Sequence, residues 1–193
     1  ITIDATAPAA PGVALTTDSG SSASDRITRI AGLSPSGVES GATVEYSING
    51  STGWSATAPV VTEGGNTVYV RQTDVAGNVG PASAAYTYTY DTTLAAPSLA
   101  LTTDSGSSAT DGVSNAGAVG VTLAADVAGW EYSTNGGASF SAGTGTSFTL
   151  GAGSYAAGAV QVRQTDIAGN VSAAASNGAA ITIDATAPAA PGL

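Results

Sequence analysis

Residues 70–78 read Val-Arg-Gln-Thr-Asp-Val-Ala-Gly-Asn, and residues 162–170 read Val-Arg-Gln-Thr-Asp-Ile-Ala-Gly-Asn. A nine-residue stretch that returns with one aliphatic exchange marks a tandem repeat, and a repeat constrains the architecture before any single residue is considered. Working outward, Ala-Leu-Thr-Thr-Asp-Ser-Gly-Ser-Ser-Ala fills 14–23 and again 100–109. The first pair of motifs is 92 residues apart (70 to 162) and the second 86 (14 to 100), so the second copy holds 6 additional residues ahead of Val162. The Gly-rich stretch 143–158 is the natural place for them. The opening Ile-Thr-Ile-Asp-Ala-Thr-Ala-Pro-Ala-Ala-Pro-Gly, 1–12, recurs whole at 181–192, and a degenerate version, Tyr-Thr-Tyr-Asp-Thr-Thr-Leu-Ala-Ala-Pro, lies at 88–97. The order is linker, domain, linker, domain, linker. It gives 1–4 as the end of a preceding repeat, 5–91 and 92–184 as two repeats, and 185–193 as the start of the next. Each repeat has about the size of a small β-sandwich.

Periodicity inside a repeat is two. Val44, Tyr46 and Ile48 alternate with Glu45, Ser47 and Asn49; Val68 and Val70 with Tyr69 and Arg71; Tyr86, Tyr88 and Tyr90 with Thr87 and Thr89. This is the pattern of half-buried strands. Asn49-Gly50 and Asn135-Gly136-Gly137 predict hairpin turns, since Asn and Gly tolerate positive φ. Strands are expected near 12–16, 26–31, 43–49, 53–62 (a short pair), 66–74 and 80–90, then near 98–102, 119–124, 128–133, 138–150, 159–166 and 171–183. Pro8, Pro11 and Pro97 fall at the first strand of a repeat, where an edge tolerates a missing N–H. Short antiparallel strands separated by turns predict an all-β chain of two tandem immunoglobulin-like Greek-key β-sandwiches, stacked end to end. Trp54 and Trp130 are read as core filling. Trp54 and Phe140 are expected to pack behind the hairpins, and Glu45–Arg71 and Glu131–Arg163 to form cross-strand ion pairs.

Composition removes several function classes. The chain has no Cys, His, Met or Lys, so disulfides, Cys/His zinc sites, haem ligation by those residues and Ser-His, Cys-His or Lys-based catalysis are excluded. Fourteen acids against four arginines give a net charge of −10. Nucleic acid and anionic membranes are therefore poor partners and cations good ones. No apolar run approaches the ~20 residues of a membrane helix. Ile1 opens inside a motif, so the sequence reads as a piece excised from a longer array.

The aspartates carry the functional argument. Asp18 and Asp25 bracket one Ser/Gly-rich loop, and Asp104 and Asp111 bracket its repeat. Asp4, Asp91 and Asp184 each close a repeat and open a linker. Asp74 and Asp166 stand just before the Ala-Gly-Asn turns ending at Asn78 and Asn170. If the sandwiches stack, Asp18, Asp25, Asp91 and Asp166 meet at the junction, and Asn170 adds a carbonyl oxygen. Asp4, Asp74 and Asn78 form a half-site at one pole; Asp104, Asp111 and Asp184 form one at the other. Carboxylates gathered in this way repel unless a cation sits between them. Oxygen donors in loops suit Ca²⁺, which takes 6–8 oxygens at ~2.3–2.6 Å, better than Mg²⁺ with its strict octahedron. Any one Asp could instead serve its own turn; the joint pattern is what argues for a metal. Neither loop has EF-hand spacing.

At these residues the chain resembles a known family. The motifs Asp-Ala-Thr-Ala-Pro-Ala-Ala-Pro, Leu-Thr-Thr-Asp-Ser-Gly-Ser-Ser-Ala-Ser-Asp and Val-Arg-Gln-Thr-Asp-Val-Ala-Gly-Asn are similar to the tandem bacterial Ig-like repeats of giant type I secreted (RTX) adhesins, over essentially the whole of 1–193. The resemblance implies an extender region of many such sandwiches with Ca²⁺ between neighbours. It also implies a secreted, cell-surface setting and a ligand-binding region elsewhere in the protein. It falls on Asp4, Asp18, Asp25, Asp74, Asn78, Asp91, Asp104, Asp111, Asp166, Asn170 and Asp184. One departure stands out: 112–118, Gly-Val-Ser-Asn-Ala-Gly-Ala, lacks the Ile-Thr of 27–28, so a late strand is expected there.

The expected function is a Ca²⁺-rigidified spacer, monomeric, whose partners are neighbouring repeats of the same chain. The alternative is a module that itself binds a glycan, ice or a host surface, with Tyr69, Tyr155 and flat Thr/Ala rows as the binding face. An enzyme fits worst: a glycosidase could use two carboxylates, but these acids lie at domain poles without aromatic platforms.

Overall fold

The computed structural model describes residues 2–192. Ile1 and Leu193, which begin and end the expected flanking segments, lie outside them. The chain is all-β: among the described residues there are sixteen strands and no helix. It divides into two compact units, Ile1–Thr92 with Ile167–Gly169, and Thr93–Asp166 with Asn170–Leu193.

In the first unit, β1 (Gly12–Leu15) pairs antiparallel with β3 (Leu33–Ser36). A four-stranded sheet runs β2 (Ile27–Thr28), β6 (Tyr86–Tyr90), β5 (Gly64–Thr73), β4 (Thr43–Ser47), with β2 parallel to β6 and the rest antiparallel. Val68, Val70 and Tyr88 are buried on its inner face.

The second unit has three sheets. One is β7 (Ser98–Leu101), β9 (Ala118–Thr122) and β12 (Ser147–Thr149). Another is β11 (Ser141–Ala142), β10 (Val127–Ser133), β14 (Gln161–Asp166) and β15 (Ala175–Ser176). The last is β13 (Gly153–Tyr155), β16 (Ile181–Ile183) and β8 (Val113–Ser114), the final pair again parallel. Val119, Val121 and Phe148 from the first, Trp130 and Val162 from the second and Ile181 and Ile183 from the third join one buried cluster. Sheets facing each other across a shared apolar core are consistent with a β-sandwich.

Several expectations about strands need correction. The strand expected over 26–31 shrinks to β2, and the partner of β1 lies beyond Gly32. Arg26 takes a left-handed φ of 62°, and the buried Thr28 hydroxyl donates to Thr17 O at 3.1 Å and accepts the Ile30 N–H. A side chain competing for main-chain partners ends the ladder there. The short pair near 53–62 is only a bridge between Tyr46 and Ser55. The strand expected from 80 begins at Tyr86, because Pro81 lacks a donor and the Ser83 hydroxyl takes the Val70 N–H at 3.1 Å. Alternation also slips at the hairpins. Ser47 is buried and Ile48 exposed, since the Ser47 hydroxyl donates to Thr52 O at 2.7 Å and accepts the Gly50 N–H. The prolines precede the first strands rather than lying in them.

The Gly-rich stretch 143–158 builds β12 and β13, bringing Phe148 and Leu150 into the core. The late start expected at 112–118 is not found: Val113–Ser114 stand in the place of Ile27–Thr28 and make the same parallel pairing. Both ion pairs form in direct register, Arg71–Glu45 and Arg163–Glu131 at 2.8 Å each. Trp130 is core. Trp54 is not: its ring receives the Arg71 guanidinium 4.5 Å from the centroid, as Phe140 receives Arg163 at 4.0 Å.

Candidate metal centre

The aspartates of the two acidic loops make matching hydrogen bonds. In the first unit an Asp18 carboxylate oxygen accepts the Arg26 N–H at 2.8 Å, and Asp25 accepts the Ile27 N–H at 3.0 Å. In the second, Asp104 accepts the Gly112 N–H at 2.9 Å, and Asp111 accepts the Val113 N–H at 3.0 Å. Asp111 therefore occupies the place of Asp25. Ser19 meets the Thr28 hydroxyl at 3.1 Å, and Ser105 meets the Ser114 hydroxyl at 3.0 Å. The linker aspartates join the same corners: Asp91 N–H donates to Thr28 O at 3.0 Å and Asp184 N–H to Ser114 O at 2.9 Å. So each loop stands beside the exit of its own unit's last strand.

Each loop also holds one oxygen that the protein does not satisfy. Asp18 Oδ1 and Asp104 Oδ1 are buried and have no hydrogen-bond partner. A carboxylate is acceptor-only, and leaving a buried oxygen without a donor costs about 1–3 kcal/mol. The same defect at two repeat-related positions fits an oxygen meant for a cation.

The Ala-Gly-Asn turns form a second matched pair. Asp74 accepts the Asn78 N–H and Asn78 Nδ2, both at 2.8 Å. Asp166 accepts the Asn170 N–H at 2.7 Å and Asn170 Nδ2 at 2.8 Å. The Asn78 side-chain hydrogen bond holds the Asp74 carboxyl below the usual range, helped by N–H groups of the turn and opposed by desolvation. Asn78 Nδ2 also donates to Asp4 O at 3.2 Å, which brings Asp4, Asp74 and Asn78 to one corner. The two asparagines thus present their amide nitrogens to the acids. Asp4 and Asp184 each accept an N–H two residues on, those of Thr6 and Thr186.

In the first unit the tripeptide Ile167–Gly169 packs on the loop at 19–21. Ser21 N–H donates to Ile167 O at 3.0 Å, and the Ser19 hydroxyl to Ala168 O at 2.8 Å. Gly20, at φ 100°, has no room for a Cβ against the Ile167 and Ala168 backbone.

In the second unit, Asp126 and Asp166 offer carboxylate oxygens within 4.8 Å of one another. Strand register explains this: Val127 is the cross-strand partner of Asp166, and a bulge follows it. The buried Gln164 fixes the approach, its Oε1 accepting the Ala124 N–H at 3.1 Å. Asp126 and Asp166 could share a metal ion. Repetition in the sequence gives no sign of Asp126, because its counterpart in the first repeat is Ser40. Asp18 and Asp25, expected to share that ion, belong to no group of three acidic ligands among the described residues. The donors are all oxygens, the chemistry of a hard cation such as Ca²⁺ or Mg²⁺.

Sequence reasoning also passed over two buried glutamines inside the motif that revealed the repeat. Gln72 donates to Ala9 O at 2.8 Å and Gly37 O at 3.2 Å and accepts the Glu39 N–H at 2.8 Å. Gln164 donates to Ala95 O at 2.8 Å. Each therefore ties an entering linker to its unit. The signal in the sequence is their period-two position, in line with Val68 and Val70 and with Val160 and Val162. Tyr69 and Tyr155, offered as a binding face, are half-buried; Tyr155 packs against the core. The chain matches no protein-family model and no curated protein.

Proposed function

We propose that the chain is a pair of immunoglobulin-like, Ca²⁺-rigidified extender repeats of a bacterial surface adhesin. The two units act as spacers that hold a distal ligand-binding region away from the cell. The observation that carries this reading is the matched pair of acidic loops, each with a buried carboxylate oxygen that no protein donor serves. Asp18 and Asp25, with the linker Asp91, and their counterparts Asp104, Asp111 and Asp184 supply oxygen donors to junction ions. Asp126 and Asp166 add two more. Without the cation, like charges at each junction repel and the linker flexes. With it, charge is neutralised and the array stiffens. Binding at the ~10⁻⁴–10⁻³ M typical of extracellular modules would make external calcium the assembly signal. At a hundredfold excess over Kd, the ion adds about 2.7 kcal/mol to stability.

Small-angle scattering with calcium and with chelator tests the proposal. The expected result is a longer maximum dimension with calcium, accompanied by calcium uptake in calorimetry. An unchanged dimension would refute the clamp.

A further inference from the structure

The second unit packs three rings together. Tyr132 lies against Phe148 with ring centroids 4.3 Å apart and planes at 18°, and Trp130 stands 6.1 Å from each. Phe148 enters on β12 opposite Val119, which is fully buried. The first unit keeps only the tyrosine. Tyr46 pairs with Val70 and bridges to Ser55, as Tyr132 pairs with Val162 and Ser141. Val44 stands in the place of Trp130, and no ring meets Tyr46 among the described residues. Chain length explains the missing phenyl group. Ser55 to Gly64 and Ser141 to Gly153 connect equivalent pairings, and the first connection is 3 residues shorter (9 steps against 12). Counted back from the two glycines, Pro59 falls in the place of Phe148, Val60 of Thr149 and Val61 of Leu150. Pro59 and Val61 are half-buried and Val60 is 91% exposed, so the inward and outward positions also agree. A pyrrolidine ring is smaller than a phenyl ring and carries no N–H for a ladder. A cleft of about 370 Å³ opens beside Tyr46, lined in part by Ile48, Ser55, Thr57, Pro59 and Val60. Ile48 at its rim is 67% exposed, and Leu33, the counterpart of Val119, is half-buried instead of fully buried.

We propose that this cleft is a binding site for an aromatic side chain, a phenylalanine carried on an extended peptide of a partner protein, which stacks on Tyr46 as Phe148 stacks on Tyr132. None of the lining residues is charged, so the group that enters is neutral. The net charge of −10 further disfavours an acidic occupant and leaves a neutral or basic peptide as the match. A ring suits the site better than an aliphatic chain, because ring edges and faces attract beyond the area they bury. Ile48 and Val60 lose water when the cleft is covered, which adds an apolar contribution from both sides of the ring. The occupant is a peptide because the cleft is open along the exposed loop 55–58 and admits a chain lying across it. In the second unit the ring arrives in just that way, between Ser147 and Thr149, whose side chains face solvent. A phenylalanine flanked by small polar residues is therefore the pattern to be recognised. One ring in a shallow cleft binds weakly, with a Kd in the roughly millimolar range.

The probe is the ring-bearing segment of the chain itself, the capped peptide Gly-Thr-Ser-Phe-Thr-Leu-Gly of residues 145–151, with the same peptide carrying Phe148→Ala as control. Each is titrated at millimolar concentration into the full ¹⁵N-labelled chain, once in chelator and once in calcium. Amides of 46–48 and 57–60 are expected to shift with the phenylalanine peptide and to stay still with the alanine one. Nuclear Overhauser effects are expected between the peptide ring and the Tyr46 ring. Val60→Asp puts a charge at an exposed rim position and should abolish the shifts without disturbing the fold. Pro59→Phe supplies the ring from within: it should also abolish them, and it should move the Tyr46 ring protons upfield as the new phenyl group stacks there. Absence of shifts at 46–48 and 57–60 in both buffers, equal shifts with the alanine peptide, or undiminished binding to Val60→Asp overturns the site. Shifts confined to 118–120, where the peptide would only replace β12, do so as well. The proposal is independent of the calcium reading: peptide binding in chelator together with no calcium uptake in calorimetry would overturn that reading and leave this one standing.

Discussion

Gln72 gives the sharpest quantitative test of how a linker is held. Leucine is close to glutamine in volume, so Gln72→Leu should keep the packing and remove the polar contacts. Three hydrogen bonds are lost: to Ala9 O, to Gly37 O and from the Glu39 N–H. A net value of about 1 kcal/mol each gives a loss of about 3 kcal/mol. Water limits the cost, because Ala9, Gly37 and Glu39 are themselves exposed and can be re-solvated. Gln164→Leu removes two such bonds, to Ala95 O and from the Ala124 N–H, and should cost about 2 kcal/mol. Urea unfolding in chelator reads both values free of any metal contribution. The slope should be unchanged, since the surface exposed on unfolding is the same. A loss below about 0.5 kcal/mol for Gln72→Leu would refute the claim that the buried amide, rather than the prolines around it, anchors the linker.

Other expectations follow from the same contacts. Asp104→Asn and Asp18→Asn should each weaken calcium uptake at least tenfold in calorimetry while leaving the calcium-free protein no less stable, because the substituted oxygen has no partner to lose. Asn78→Ala should let the Asp74 carboxyl return toward its ordinary value. Since the folded-state pKa is lowered, Asp74 contributes stability above about pH 4 that is lost as pH falls through that lowered value. Carboxyl ¹³C titration of wild type and variant reads the change directly, and an unaltered curve would remove Asn78 as the cause. The first unit buries Val68, Val70 and Tyr88, against the larger cluster around Trp130, so it should unfold first. Fluorescence of Trp54→Phe and Trp130→Phe variants should resolve two transitions, and coincident ones would argue against separate cores. A double-mutant cycle on Glu45 and Arg71 should give at most about 1 kcal/mol, as for other partly exposed pairs.

The sequence was most informative where physics repeats. Motif recurrence and period-two alternation fixed the all-β class and the cross-strand partners of Arg71 and Arg163, because register follows from which face is apolar. It also placed the acids in equivalent loops, since identical local sequences of Asp, Ser and Gly satisfy their own backbone in the same way. Strand ends were less legible. Thr28, Ser47 and Ser83 look like ordinary strand residues, yet their hydroxyls capture main-chain groups and stop the ladders. Trp54 reads as core by type but is recruited by Arg71.

Only the tertiary structure revealed Asp126. No motif contains it, and its nearness to Asp166 arises from a bulge in the pairing of β10 with β14. Only the tertiary structure, too, distinguished the two oxygens of Asp18 and Asp104, one served by an N–H and one by nothing. Local chemistry is written in adjacent residues. Whether a buried oxygen finds a donor depends on groups distant in sequence, and the fold alone decides which of them arrive.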